Sequence, residues 1–252
     1  MKQQFYIGYL EKAPKPIAHF LKRVLPVIVL LGLICGAVIS TTQTGFNEGK
    51  YELGKRTQIT GFVEKGPIPM LRIENPGNGN DDQVLLIGFG KFGADTTLAE
   101  MEKYHEMTFA DQLVTLEGTQ ILMGDMRLLE LTEKKFSLIH WKPGQPKTKL
   151  NKKPLGHVGY SGEVIDPKCY FGVMKPGEGK THRSCAILCI NGGIPPMLKT
   201  TDDDGVSSYI FLLGENETPQ QSKWAPFAGL KNTRVAGDAY DWNGWQVLLA
   251  GE

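Results

Sequence analysis

The chain repeats itself, and the repeat limits the folds open to it. Gly66-Pro-Ile-Pro-Met-Leu-Arg72 reappears as Gly193-Ile-Pro-Pro-Met-Leu-Lys199, and Val84-Leu-Leu-Ile-Gly88 as Ile210-Phe-Leu-Leu-Gly214. Leu116-Glu-Gly118, Gly124 and Leu128-Leu129 have counterparts in Val235-Ala-Gly237, Gly244 and Val247-Leu248. The openings correspond too, Ile59-Thr-Gly61-Phe-Val63 with Tyr160-Ser-Gly162-Glu-Val164. Each match is short, but all occur in the same order at similar spacing. Two related units are therefore expected, at 57–132 and 158–252.

Each unit reads strand, strand, strand, helix, strand, strand. In the first, runs rich in Val, Ile and Leu, bounded by Gly, Pro, Asn and Asp, predict strands near 57–64, 69–75, 83–88, 112–121 and 126–131. Between the third and fourth, Leu98, Met101 and Tyr104 recur at helical spacing. The shorter second-unit segment from Thr218 to Leu230 predicts one or two helical turns. This order of elements resembles the OB fold, a small Greek-key barrel. The resemblance covers both units, rests on element order alone, and implies a mainly all-β protein of two tandem OB-like barrels, each with one short helix. A generic small β-barrel or sandwich fits the same pattern.

Val24 to Ser40 is an uncharged run of 17 residues. A membrane-spanning helix needs roughly 17–25, so a transmembrane helix is expected at 24–41. Lys2, Lys12, Lys15, Lys22 and Arg23 precede it. Positive charge on that side predicts residues 1–23 in the cytoplasm and residues 42–252 outside the cytoplasmic (inner) membrane, in the periplasm or beyond. A cleaved signal peptide is the rival reading, although no small-x-small cleavage site follows. Cys35 suggests lipidation, but Ile34 stands where a small residue is wanted. Residues 42–56 read as a polar tether. Residues 133–157 read as a basic linker, with Lys134, Lys135, Lys142, Lys147, Lys149, Lys152 and Lys153 among Pro143, Pro146 and Pro154. The net charge of +1 gives no field that would draw the chain to nucleic acid.

The chemistry is concentrated in one place. The spacing between Gly162 and Met197 exceeds that between Gly61 and Met70 by 26 residues, so the second unit carries an insertion of that size, about 166–192. Cys169, His182, Cys185 and Cys189 all lie in it, whereas the first unit has no cysteine. A loop grafted on a rigid frame is a common seat of function. A helix over Thr181–Ile190 would set His182, Cys185 and Cys189 at i, i+3 and i+7 on one face. Pro176, Gly177 and Gly179 would let Cys169 fold back, and Asn191-Gly-Gly193 would end the helix.

Three thiolates and an imidazole form a complete set for zinc, or for copper(I) with fewer ligands. Met174 is a further soft ligand for a long axial contact. Cys185-x3-Cys189 followed by Met197 resembles the binuclear copper loop of cytochrome oxidase subunit II and nitrous oxide reductase. That loop carries a histidine four residues after its second cysteine, where this chain has Gly193. The alternatives are a disulfide from Cys169 to Cys185 or Cys189 with one thiol left over, and a thiol-redox or nucleophilic site with Cys185 beside His182 and Arg183. No C-x-x-C-H is present, so no c-type haem is expected. Gly177-Glu-Gly-Lys-Thr181 lacks the first glycine of a phosphate loop, so no nucleotide is expected. These features together lead us to expect a membrane-anchored accessory or electron-transfer subunit of a membrane or respiratory complex, non-enzymatic, holding zinc or copper.

Overall fold

The computed structural model describes residues 12–43, 45–74, 82–147 and 151–251. Lys2 and Lys149, used above for orientation and for the basic linker, lie outside those residues. The chain divides into two compact units, one up to Phe46 and one from Asn47 onward. The first is built around helix α1 (Lys15–Thr42), which includes Pro26 and buries none of its residues. It is long and apolar enough to cross a membrane, a property that signal sequences share. It begins nine residues before the uncharged run expected to span, so Lys15, Lys22 and Arg23 are helical too.

The second unit is mostly β. Strands β1 (Lys50–Tyr51), β2 (Thr57–Glu64), β3 (Met70–Ile73) and β4 (Asp82–Gly88) come first. Helix α2 (Asp95–His105) follows, then β5 (Gln112–Met123), β6 (Met126–Leu131) and β7 (Leu138–Pro143). Strand β8 (Lys152–Ile165) opens the second repeat, with helix α3 (Gly179–Asn191), strands β9 (Met197–Thr201) and β10 (Ser207–Gly214), the short helix α4 (Gln221–Trp224), β11 (Thr233–Trp242) and β12 (Trp245–Ala250). In that repeat β8, β9, β10, β12 and β11 form a closed five-stranded barrel. In the first repeat β2 pairs with β3 and β5, β3 with β4, β4 with β6 in parallel, and β6 with β5. That is the same circuit, and β1 and β7 add to β5.

The repeat is legible because its strands are buried on both faces. Along β4, Val84 and Leu86 enter the core of their own repeat with Leu71, Leu98, Met101 and Leu129. Their neighbours Leu85 and Ile87 point the other way and join Phe211, Leu213 and Val247 of the second repeat in a shared core. In β10, Ile210 and Leu212 serve the second repeat's own core while Phe211 and Leu213 face the seam. Period-two alternation with two apolar partners gives an unbroken hydrophobic run. The recurrent glycines also have a shared cause. A Cβ on Gly61 would lie 2.3 Å from the Arg72 carbonyl oxygen, and one on Gly162 would lie 2.1 Å from that of Lys199.

The stretch 133–157 is more structured than a linker. Leu138 is buried in the first core and β7 pairs with β5, while β8 already begins at Lys152 and pairs with β11. Residues 144–151 are what joins the two. The expected tether is likewise partly folded, since β1 pairs with β5 and the Asn47 side-chain amide donates to the Tyr170 carbonyl at 2.8 Å. Asp202 closes the β9–β10 hairpin, its carboxylate accepting from the amides of Asp204 and Val206.

Candidate thiol and metal centre

The insertion occupies the interval between β8 and β9 and packs into the shared core. Asp166, fully buried, follows the last residue of β8, and one carboxylate oxygen accepts from the Cys169 amide at 2.9 Å. That bond and Tyr170 N–H donating to the Asp166 carbonyl start the turn, and Met174 N–H donating to the Cys169 carbonyl at 3.2 Å closes residues Cys169–Val173 as a single π turn. The turn lies against β1 and β5 and buries Cys169, Tyr170 and Phe171. The chain then doubles back. A Cβ on Gly177 would meet the Tyr170 Cα at 2.4 Å, so only glycine allows this approach.

Helix α3 starts where the Gly179 amide donates to the buried carboxylate of Glu163, a fitting partner for the exposed N–H groups of a helix start. Burial raises the Glu163 pKa, an effect its bond to Gly179 opposes. The helix ends at Asn191, with Gly193 N–H donating to Ile190 and Ile194 N–H to Cys189. Gly193 has φ of 100°, a conformation suited to glycine. As the spacing implies, His182 and Cys189 point inward from this helix, and Cys185 is half-buried between them.

The sulfurs of Cys169, Cys185 and Cys189 lie within 4.8 Å of one another. Those of Cys169 and Cys185 are 4.0 Å apart and all the cysteines are free thiols. A second group of candidate ligand atoms, from Asp166, Cys169 and His182, also lies within 4.8 Å and is fully buried. In it the His182 Nε2 is 3.2 Å from an Asp166 carboxylate oxygen. The four residues singled out in the sequence thus fall, together with Asp166, into two overlapping triads that share Cys169, and not into one set of four. Either group could hold a metal ion. Met174 is substantially exposed at the end of the π turn.

Two members of the site were not anticipated. Asp166 sits three residues before Cys169, and the Asp-x-x-Cys spacing is the only sequence hint of its capping role. Lys91 belongs to the repeat without cysteines, yet its Nζ donates to the Cys185 sulfur at 2.8 Å. Arg183, expected to supply the positive charge beside Cys185, instead donates to the Pro226 carbonyl at 2.9 Å. The loop carrying Lys91 is tied down on both sides. Gly93 N–H donates to the Gly192 carbonyl at 2.9 Å. Lys168 Nζ bonds the carbonyls of Gly88 and Gly90 and forms a buried ion pair with Glu130 at 2.5 Å.

The electrostatics of the three thiols are unequal. The Cys169 pKa is raised, first by its hydrogen bond to Cys189, then by burial and by the charge of Asp166. That of Cys189 is lowered, first because Cys169 donates to it, with the Lys91 ammonium adding to the effect. Lys91 itself is raised, chiefly by its bond to Cys185. The proton between Cys169 and Cys189 therefore stays on Cys169. Comparison with protein-family models, with curated proteins and with solved structures returned no match.

Proposed function

We propose that this protein is a membrane-anchored metal-binding accessory subunit, in which α1 holds two OB-like barrels at the outer face of the cytoplasmic membrane. The centre takes one zinc or copper ion through Cys169, Cys185 and Cys189; His182, which stands in the adjoining triad with Asp166, turns in as the fourth ligand when the metal binds, with Asp166 orienting its ring. One observation carries this reading, the unbonded clustering of three thiols. Thiolates at about 2.3 Å from a tetrahedral metal have sulfur–sulfur edges of about 3.8 Å. The separation of 4.0 Å between Cys169 and Cys185 is close to such an edge and about twice a disulfide bond. A carboxylate on the second ring nitrogen is the usual support for a metal-bound histidine. Electron transfer for a respiratory or similar complex would require copper, since zinc has no redox chemistry.

The test is metal analysis of full-length protein purified in detergent under reducing conditions, followed by substitution with cobalt(II). One ion per chain and a thiolate charge-transfer band are expected, with both lost in Cys185→Ser and Cys189→Ser. Metal-free protein that is fully folded, and that takes up no cobalt, would overturn the proposal. The Lys91–Cys185 contact favours a second reading, a thiol-redox protein using Cys185 and Cys189. Under that reading the reduced protein binds no metal stoichiometrically, and thiol titration finds a reversible pair.

A further inference from the structure

We propose that Lys91 and Cys185 form an oxidative cross-link, a single oxygen atom bridging Nζ and Sγ. The pair is placed for it. The two atoms are 2.8 Å apart, a separation that one bridging oxygen spans. Neither residue is buried, so a small oxidant reaches them. The backbone on both sides of Lys91 is fixed by Lys168 and by the Gly93–Gly192 bond, so the loop keeps the base of the lysine side chain within reach of the sulfur. The competing disulfide from Cys185 to Cys169 is less well placed. It needs the sulfurs to close from 4.0 Å, and Cys169 is buried.

The chemistry balances with hydrogen peroxide as the named oxidant. One peroxide converts the Cys185 thiol to the sulfenic acid and releases water. The second step uses the free amine of Lys91. A second peroxide removes the remaining two electrons as the N–O bond forms, with loss of one N–H and the sulfenic O–H hydrogen. Counted from the neutral amine and thiol, two peroxides are consumed, three waters are released, and N–H and S–H are replaced by N–O–S. The product joins the two repeats covalently across the seam and withdraws Cys185 from the thiol cluster. The proposal does not depend on metal binding and is tested on protein freed of metal.

Full-length protein, reduced, treated with a chelator and held in detergent, is exposed to a few equivalents of hydrogen peroxide and its intact mass is measured. An N–O–S bridge adds about 14 Da, whereas a disulfide removes about 2 Da and sulfenic or sulfinic acid adds about 16 or 32 Da. The expected result is the first of these, reversed by dithiothreitol, with a cross-linked peptide pair containing Lys91 and Cys185. Lys91→Arg keeps the charge and should abolish that gain. Oxidation that yields only a disulfide, only a cysteine oxyacid, or the same mass gain in Lys91→Arg overturns the proposal.

Discussion

Replacing Lys168 by methionine tests whether the two repeats form one cooperative body. The Lys168 and Glu130 side chains are each only 4% exposed and their charges meet at 2.5 Å. All three Nζ donors are used, on Glu130 and on the carbonyls of Gly88 and Gly90. Glu130 keeps two neutral donors in the variant, the Tyr51 hydroxyl at 2.7 Å and the Gly90 amide at 3.3 Å. Those do not replace a full positive charge in a buried setting. Removing one partner of a buried pair costs about 3–5 kcal/mol, whereas an exposed pair is worth about 0–1 kcal/mol. Urea unfolding of the full-length protein in detergent, followed by tryptophan fluorescence, should show a loss in the first range. The double variant Lys168→Met with Glu130→Gln should be less destabilised than the sum of its parts, by about 1–3 kcal/mol. A loss below about 1 kcal/mol, or simple additivity, would refute the buried-pair reasoning.

Four shorter predictions follow from the same region. Tyr51 is pushed up to about 12, first by burial and then by its bond to Glu130. Its folded pKa therefore exceeds the unfolded one near 10, so its stabilising effect is complete below pH 10 and disappears as pH rises through about 12. Tyrosinate absorbance should show several late-ionising groups, since burial also raises Tyr170 and Tyr209, and Tyr51→Phe should remove one of them. A Cβ on Gly93 would stand 2.2 Å from the Gly193 carbonyl oxygen, so Gly93→Ala should cost about 1–3 kcal/mol in the same urea assay. Asp166→Asn should weaken cobalt(II) binding about 10–100-fold without abolishing it, read by competition with a chelator. Trp245→Phe loses the indole donation to the Gln83 carbonyl at 3.3 Å and leaves part of the buried indole's volume unfilled, and should cost about 1–3 kcal/mol.

The strands and the place of the insertion were readable because both depend on local signals. Alternating or continuous Val, Ile and Leu runs mark strands, and a length difference between aligned repeats marks an insertion. The same runs also held information about packing. Val84 to Ile87 offers four consecutive apolar side chains, more than one face of a strand can use, and its partner from Ile210 to Leu213 does likewise. Such a pair implies a second buried face in each repeat, which the structure fills by packing the two together. The stretch 133–157 misled because β7 adds at the edge of its sheet, on β5, where lysine and proline are tolerated or favoured. Its composition is that of a linker although its backbone is paired.

The chemistry at the insertion was only half visible for a different reason. Cysteines and a histidine in 21 residues announce themselves, and the helix brings three of them to one side. What decides their character is supplied from elsewhere. Lys91 is 94 residues from Cys185 in sequence, and it reaches the sulfur only because Lys168 and Gly192 hold its loop against the insertion. The anchoring residue Lys168 immediately precedes Cys169, so the segment that presents the first thiol also fixes the loop that presents the cation. Any change that loosens the seam should then alter the thiols before it unfolds either barrel. The order of events is measurable, since alkylation of Cys185 in Lys168→Met should accelerate at urea concentrations where the β-sheet signal in far-ultraviolet circular dichroism is still native.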